Sequence, residues 1–250
     1  EHVRAVGQCD ESFSAVEDGE VVRLLRQSTP RSPASAVSED IRIPADGLLL
    51  DGNLQVPEKA CGLVIFAHGS GSSRNSPRNR QVAQAMHKNG LATLLFDLLG
   101  EDEASDASAR FDIPRLTGRL DAAMRWAMHH PHARALPIGL FGASTGAAAA
   151  LVLAARHPMA VKAVVSRGGR PDLAGHGALA RVKAPTLLIV GGADSEVIVL
   201  NRSALLMLPC HAERVLSPKA THLFEEQGAL DRVAALAASW FQQWLPDQGR

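Results

Sequence analysis

The sequence predicts an α/β fold: a mostly parallel central sheet with helices on both faces and an antiparallel hairpin at its N-terminal edge. Three observations carry this expectation. Short, continuous apolar runs recur at residues 63–67, 92–96, 136–141 and 185–190, as strands buried on both faces require. Stretches with helical spacing of apolar residues separate them, and strand alternating with helix calls for a parallel sheet covered on both sides. Near the start, two β-type runs flank the turn signal Ala45-Asp46-Gly47, the pattern of a hairpin.

Taken in order, residues 1–38 match the rest poorly. Residues 20–27 could form a short helix, and 28–35 are rich in Ser and Pro, which reads as a linker. The domain proper is expected from 39 to 247. Ile41-Arg42-Ile43 and residues 48–56 make the hairpin, and Pro57-Glu58-Lys59 is a further turn. The run 63–67 ends in the glycine- and serine-rich stretch His68-Gly69-Ser70-Gly71-Ser72-Ser73. Residues 81–88 look helical and stop at Asn89-Gly90, a C-terminal signal. After the strand 92–96 comes an acidic loop, Glu101-Asp102-Glu103. Residues 116–129 place Leu116, Leu120, Ala123, Met124 and Ala127 on one helical face. Strands are expected at 161–165, 185–190 and 213–216, with helices at 197–207 and 228–244. No internal repeat is present.

Composition bounds the function. The chain has 250 residues, formal net charge zero, 21% charged and 46% apolar residues, ordinary for a globular domain. The neutral balance argues against nucleic acid or an anionic membrane as the main partner. Cys9, Cys61 and Cys210 are odd in number and lack metal-ligand spacing, so a reducing, cytoplasmic compartment is expected. The apolar stretches are too short to span a bilayer, and residues from Glu1 onward carry no charged-then-apolar export signal. His129-His130-Pro131-His132 reads as an exposed turn rather than a metal site, because no partner stands at metal-site spacing.

The chemistry centres on Gly142-Ala143-Ser144-Thr145-Gly146, which lies between an apolar run and a helical run. Gly-x-Ser-x-Gly in that setting reads as a nucleophile elbow, a sharp strand-to-helix turn with a serine at its apex. Alone the pattern is weak. Two further groups make it specific, since serine catalysis needs a histidine base and a carboxylate that orients it, in the order Ser, acid, His for this topology. Asp194 follows the strand 185–190 through Gly191-Gly192-Ala193, and His222 sits in the loop before the final helix. The bland alternatives are that Asp194 only caps a helix, with Glu196 as the acid, and that His222 is a surface histidine. An oxyanion hole is expected from the N–H of Thr145 and that of Ser70, with Gly71 as the alternative and His68 holding the loop. A phosphate loop is excluded because no Gly-Lys-Ser/Thr follows Gly69-Ser70-Gly71.

On these motifs, residues 39–245 resemble the α/β-hydrolase fold, and within it the dienelactone hydrolase-like branch. The stretches 69–80 and 166–173 resemble a subgroup often fused behind a phosphoribosyltransferase domain, and Val6-Gly7-Gln8, Phe13 and Asp18-Gly19-Glu20-Val21 resemble the end of such a domain. Dienelactone hydrolases use a cysteine nucleophile, where this chain has Ser144. The resemblance therefore implies a cofactor-free serine hydrolase, with the triad Ser144, Asp194 and His222, acting on small or short-chain carboxylic esters through an acyl-enzyme. An acyltransferase, thioesterase or peptidase on the same scaffold, and a non-catalytic regulatory module, are the alternatives. The short segment 166–184 leaves little room for an inserted lid, so an open site is expected. Gly71, Arg74, Arg167 and Arg170 are candidate substrate-binding residues, the arginines suiting an anionic substrate. Alternatively, they pair with carboxylates such as Asp97, Asp102 or Asp172 and only pin loops.

Overall fold

The computed structural model describes residues 35–246; the tail features expected in residues 1–34 lie outside that range. β1 (Ser35–Ala45) and β2 (Leu48–Pro57) form the hairpin. Asp46 and Gly47 both hold positive φ, 48° and 78°, the turn geometry that matches strand twist. β1 begins at Ser35, so residues 35–38, expected in the linker, are part of the sheet.

The chain continues through β3 (Leu63–Ala67), α1 (Pro77–Lys88), β4 (Ala92–Phe96), α2 (Glu101–Ala104), α3 (Ala107–Phe111), α4 (Ile113–His129), β5 (Ile138–Ala143), α5 (Thr145–Arg156) and β6 (Val161–Arg167). A 3-10 turn (Pro171–Ala174) and α6 (His176–Leu179) precede β7 (Thr186–Gly191), α7 (Ser195–Leu205), β8 (Ala212–Ser217) and α8 (Ala229–Trp244). The expected acidic loop is thus the short helix α2, and helix α1 starts earlier than its apolar spacing suggested, at Pro77, where a missing N–H costs nothing.

The eight strands stand in the order β1-β2-β4-β3-β5-β6-β7-β8. β1–β2 and β2–β4 are antiparallel, and every pairing from β4 through β8 is parallel. Alternate residues of the central strands face two cores. Leu63, Ile65 and Leu140 pack with α4 and α5, through residues such as Leu120, Met124 and Leu151. Val64, Phe66, Phe141 and Val165 pack with α1 and α8, through Val82, Met86, Val233 and Phe241. This double burial explains the uninterrupted apolar runs, and each large side chain buried there contributes about 1.5–3 kcal/mol by leaving water. The arrangement aligns the carboxyl ends of β3, β5, β6, β7 and β8 at one edge, where ligands bind in open α/β sheets. Among the described residues no helix is long and apolar enough to cross a membrane.

Candidate active site

Ser144 stands between β5 and α5 with φ 50° and ψ −119°, a conformation that L-residues avoid. Close packing on both sides enforces it. A Cβ on Gly142 would come within 2.4 Å of Ala147 Cα, and one on Gly146 within 2.1 Å of the Ala67 carbonyl oxygen. Both contacts are impossible, so the turn tightens only with glycine there. The Ser144 N–H donates to the Arg167 carbonyl at 3.2 Å and its own carbonyl accepts from Ala147 and Arg170, which ties the apex to β6 and the loop beyond it.

The loop after β3 presses on this turn. A Cβ at Gly69 would lie 3.0 Å from Ser144 Cβ. His68 holds the loop from below. Its Nε2 accepts the Leu98 N–H at 2.9 Å, and its Nδ1 lies 3.0 Å from the Gly69 carbonyl, to which it donates in that tautomer. Burial lowers the His68 pKa, outweighing the Gly69 carbonyl and Asp97, which raise it, so the ring is neutral and the assignment consistent. The N–H groups of Ser70 and Thr145 have no hydrogen-bond partner among the described residues. Both residues line a cavity of about 490 Å³.

The acid and base come from the next loops. His222 Nδ1 lies 2.8 Å from Asp194 Oδ2. Asp194 is also the N-cap of α7, its Oδ1 accepting the Val197 N–H at 3.4 Å, so the capping role and the histidine contact coexist on separate oxygens. Glu196 is exposed. The Asp194 side chain is 14% exposed and that of His222 40%, a screened acid behind an open base. A Cβ on Gly168, just after β6, would meet the His222 carbonyl oxygen at 3.1 Å and its Cε1 at 3.6 Å. His222 is thereby docked beside the strand whose end accepts the Ser144 N–H. Among the described contacts, Ser144 Oγ makes no hydrogen bond to His222.

The three candidate arginines divide. Arg74 is taken by carboxylates: its N–H donates to Asp97 at 2.8 Å, and its guanidinium lies 3.3 Å from Asp97 and 3.5 Å from Asp51. Arg170 forms a two-bond fork on Asp172 at 2.9 and 2.7 Å, which raises its pKa. Both make carboxylate pairs of the kind the alternative reading named. Arg167 is different. It is buried, its Nη1 lacks a partner, and it pairs with no carboxylate among the described residues. Desolvation, with the nearby Arg78 charge adding to it, lowers its pKa to about 10. Gly71 lines the cavity at φ 71°.

Sequence reasoning missed the cavity's other wall. Leu99, Glu101, Ala104 and Arg110, from β4's exit, α2 and α3, line it, as does Arg78 of α1. Segment 166–184 is short as expected, but the cover comes from 97–112 instead. The histidine turn is occupied structurally: His130 pairs with Glu39 at 3.2 Å, and His129 Nδ1 bonds the Arg125 carbonyl at 2.8 Å.

Residues 60–232 match the family described as an alpha/beta hydrolase domain. The chain belongs to the α/β-hydrolase family. A dienelactone hydrolase from Anabaena variabilis shares 51% identity with this α/β hydrolase, over 86% of this chain and 100% of that one, with a TM-score of 0.82. Est1E from Butyrivibrio proteoclasticus superposes with a TM-score of 0.69 at 17% identity, over 82% of this chain and 97% of its own, a likeness of fold. Two Mycobacterium tuberculosis proteins named "Putative phosphoribosyl transferase" are 48% identical over 98% of this α/β hydrolase. The chain spans 57% of their length.

Proposed function

We propose that the chain is a serine esterase that hydrolyses small or short-chain carboxylic esters through a Ser144–His222–Asp194 triad. The observation that carries this reading is the 2.8 Å His222–Asp194 contact, at the same edge of the sheet as Ser144 in its strained elbow. Asp194 fixes the tautomer with Nδ1–H, which leaves Nε2 as the base. The base takes the Ser144 proton as Oγ attacks the ester carbonyl, through a hydrogen bond that forms when substrate closes the gap. The unpartnered N–H groups of Ser70 and Thr145 receive the developing oxyanion, and the N-terminal dipole of α5 adds to that field. The alcohol leaves with the proton from His222, and a water activated by His222 then cleaves the acyl-enzyme. The exposure of His222 gives water ready access, which favours hydrolysis over acyl transfer. The cavity's size and its lining of serines and charged side chains suit a compact polar ester.

A fluorophosphonate probe is expected to label the wild type and not Ser144→Ala. Esters, thioesters and amides should be compared, with a competing alcohol present. Labelling that survives Ser144→Ala, or products formed mainly by transfer to the alcohol, would reject the reading.

A further inference from the structure

The cavity beside the elbow carries more positive charge than any described role consumes. Arg167 follows Ala163 and Val165 on the face of β6 that packs against α1 and α8, so its side chain leaves the sheet toward the start of α1. The charge of Arg78, in the first turn of α1, acts on it. Arg78 lines the cavity. One of its nitrogens, Nη1, contacts the exposed Glu225 at 3.2 Å. Its Nε and the Nη1 of Arg167 are both buried without a hydrogen-bond partner. Arg110 reaches over the oxyanion loop from α3: a Cβ on Gly71 would sit 3.9 Å from its Nη1. It makes only a long bond, 3.4 Å, from Nε to the Asp106 carbonyl and no ion pair with a described residue. Of the two carboxylates on the lining, Asp97 is neutralised by Arg74, and Glu101 is exposed on the rim.

The start of α1 adds donors. Its N-cap, Ser76, makes no side-chain cap, and the amides of Arg78 and Asn79 have no partner among the described residues. A helix N-terminus with free amides attracts anions, and a buried guanidinium without a carboxylate is costly unless a ligand completes it. We propose that Arg78, Arg110 and Arg167, gathered around the N-terminus of α1, form a subsite for a phosphate group carried by the ester substrate. A carboxylate offers two oxygens, too few for three guanidinium groups and two amides. A phosphate monoester offers three oxygens and close to two negative charges at neutral pH. The subsite adjoins Ser70 and Thr145, so an anchored phosphate would hold the ester carbonyl near Ser144 and lower the entropic cost of attack.

This inference rests on the esterase reading, and two measurements separate them. Inorganic phosphate and methyl phosphate are titrated calorimetrically into Ser144→Ala, which tests the subsite without turnover. Micromolar to low-millimolar binding is expected, weakened at least tenfold in Arg110→Gln and in Arg167→Gln. Arg167→Lys keeps a charge at the buried position should the glutamine variant not fold. Then kcat/KM is measured for matched acetate esters with and without a phosphate on the alcohol. The preference for the phosphorylated ester is expected to fall tenfold or more in each arginine variant and to hold in Arg125→Gln, an exposed change elsewhere. Absence of phosphate binding overturns the subsite, whatever the esterase result. Phosphate binding with no preference for the phosphorylated ester assigns the site to a free anion and overturns the substrate proposal. Phosphate binding without turnover of either ester rejects the esterase reading and leaves an anion site on a non-esterase.

Discussion

Ser144 holds its backbone at φ 50° because Gly142 and Gly146 let neighbouring backbone close around it, and that conformation costs on the order of 1–3 kcal/mol. Glycine occupies such angles freely. Ser144→Gly is therefore expected to be inactive yet to melt above Ser144→Ala, a comparison that thermal unfolding reads directly. Gly146→Ala should be far worse than either: its methyl would meet the Ala67 carbonyl at 2.1 Å, and soluble yield and melting temperature would show the collapse of the turn. Two histidines set a pH limit. Burial lowers His68, and it lowers His87 to about 4 from 6.5. Both rings are neutral in the fold, so below pH 6.5 the unfolded chain takes up protons that the native state refuses. Their stabilisation is whole above that value and is lost as pH falls below it, for His87 toward about 4. Melting curves from pH 7 to 4 should show that loss, and it should shrink in His87→Gln. The candidate positions Ser144, Asp194 and His222 were readable because each lies in the segment that follows a recognisable strand. For the arginines the sequence offered Asp97 and Asp172 among the partners but left pairing and ligand binding open, because Arg74 meets Asp97 across 23 residues and Arg167 is defined by a partner it lacks.

At the level of elements, the buried strands and long helices were legible, since burial on two faces or one stripe writes itself into apolar spacing. The cover formed by α2 and α3 was not. Both are helices of four or five residues, too short to show a period. Tertiary ion pairs hold α2 instead. Arg119 on α4 is 3% exposed and contacts Asp46 in the hairpin turn at 2.7 Å and Glu103 of α2 at 3.1 Å. Glu103 also accepts the Gly100 N–H at 3.0 Å. One guanidinium thus ties the hairpin, the helix cover and the central helix layer together. Replacing it removes both contacts, a loss reduced because Asp46 is 65% exposed and Glu103 keeps Arg115 at 3.5 Å; about 2 kcal/mol is expected for Arg119→Ala. Amide exchange should rise first in residues 45–48 and 98–112, ahead of the sheet.

Across the molecule, the sequence carries the alternation of strand and helix but not the order of strands. Nothing in the apolar runs of β3 and β4 tells which lies next to β2, and only pairing across the sheet inserts β4 between β2 and β3. The first strand likewise begins before the expected start at Glu39, since Ser35, Val37 and Ser38 pair with Pro57, Val56 and Gln55. A chain starting at Ser35 is proposed to keep esterase activity and melting temperature, and one starting at Glu39 to melt slightly lower. Calorimetry of the two truncations measures the difference. The inserted position of β4 also sets a timetable for folding. β3 carries the loop that faces Ser144, yet its two neighbours arrive from residues 92–96 and 138–143, and His222 comes later still. Long loops must close before these contacts reward the chain. The hairpin of β1 and β2 can zip early, while the proposed ester turnover is expected to return only when the last parallel pairs have locked, so regained activity would report the end of refolding rather than its beginning.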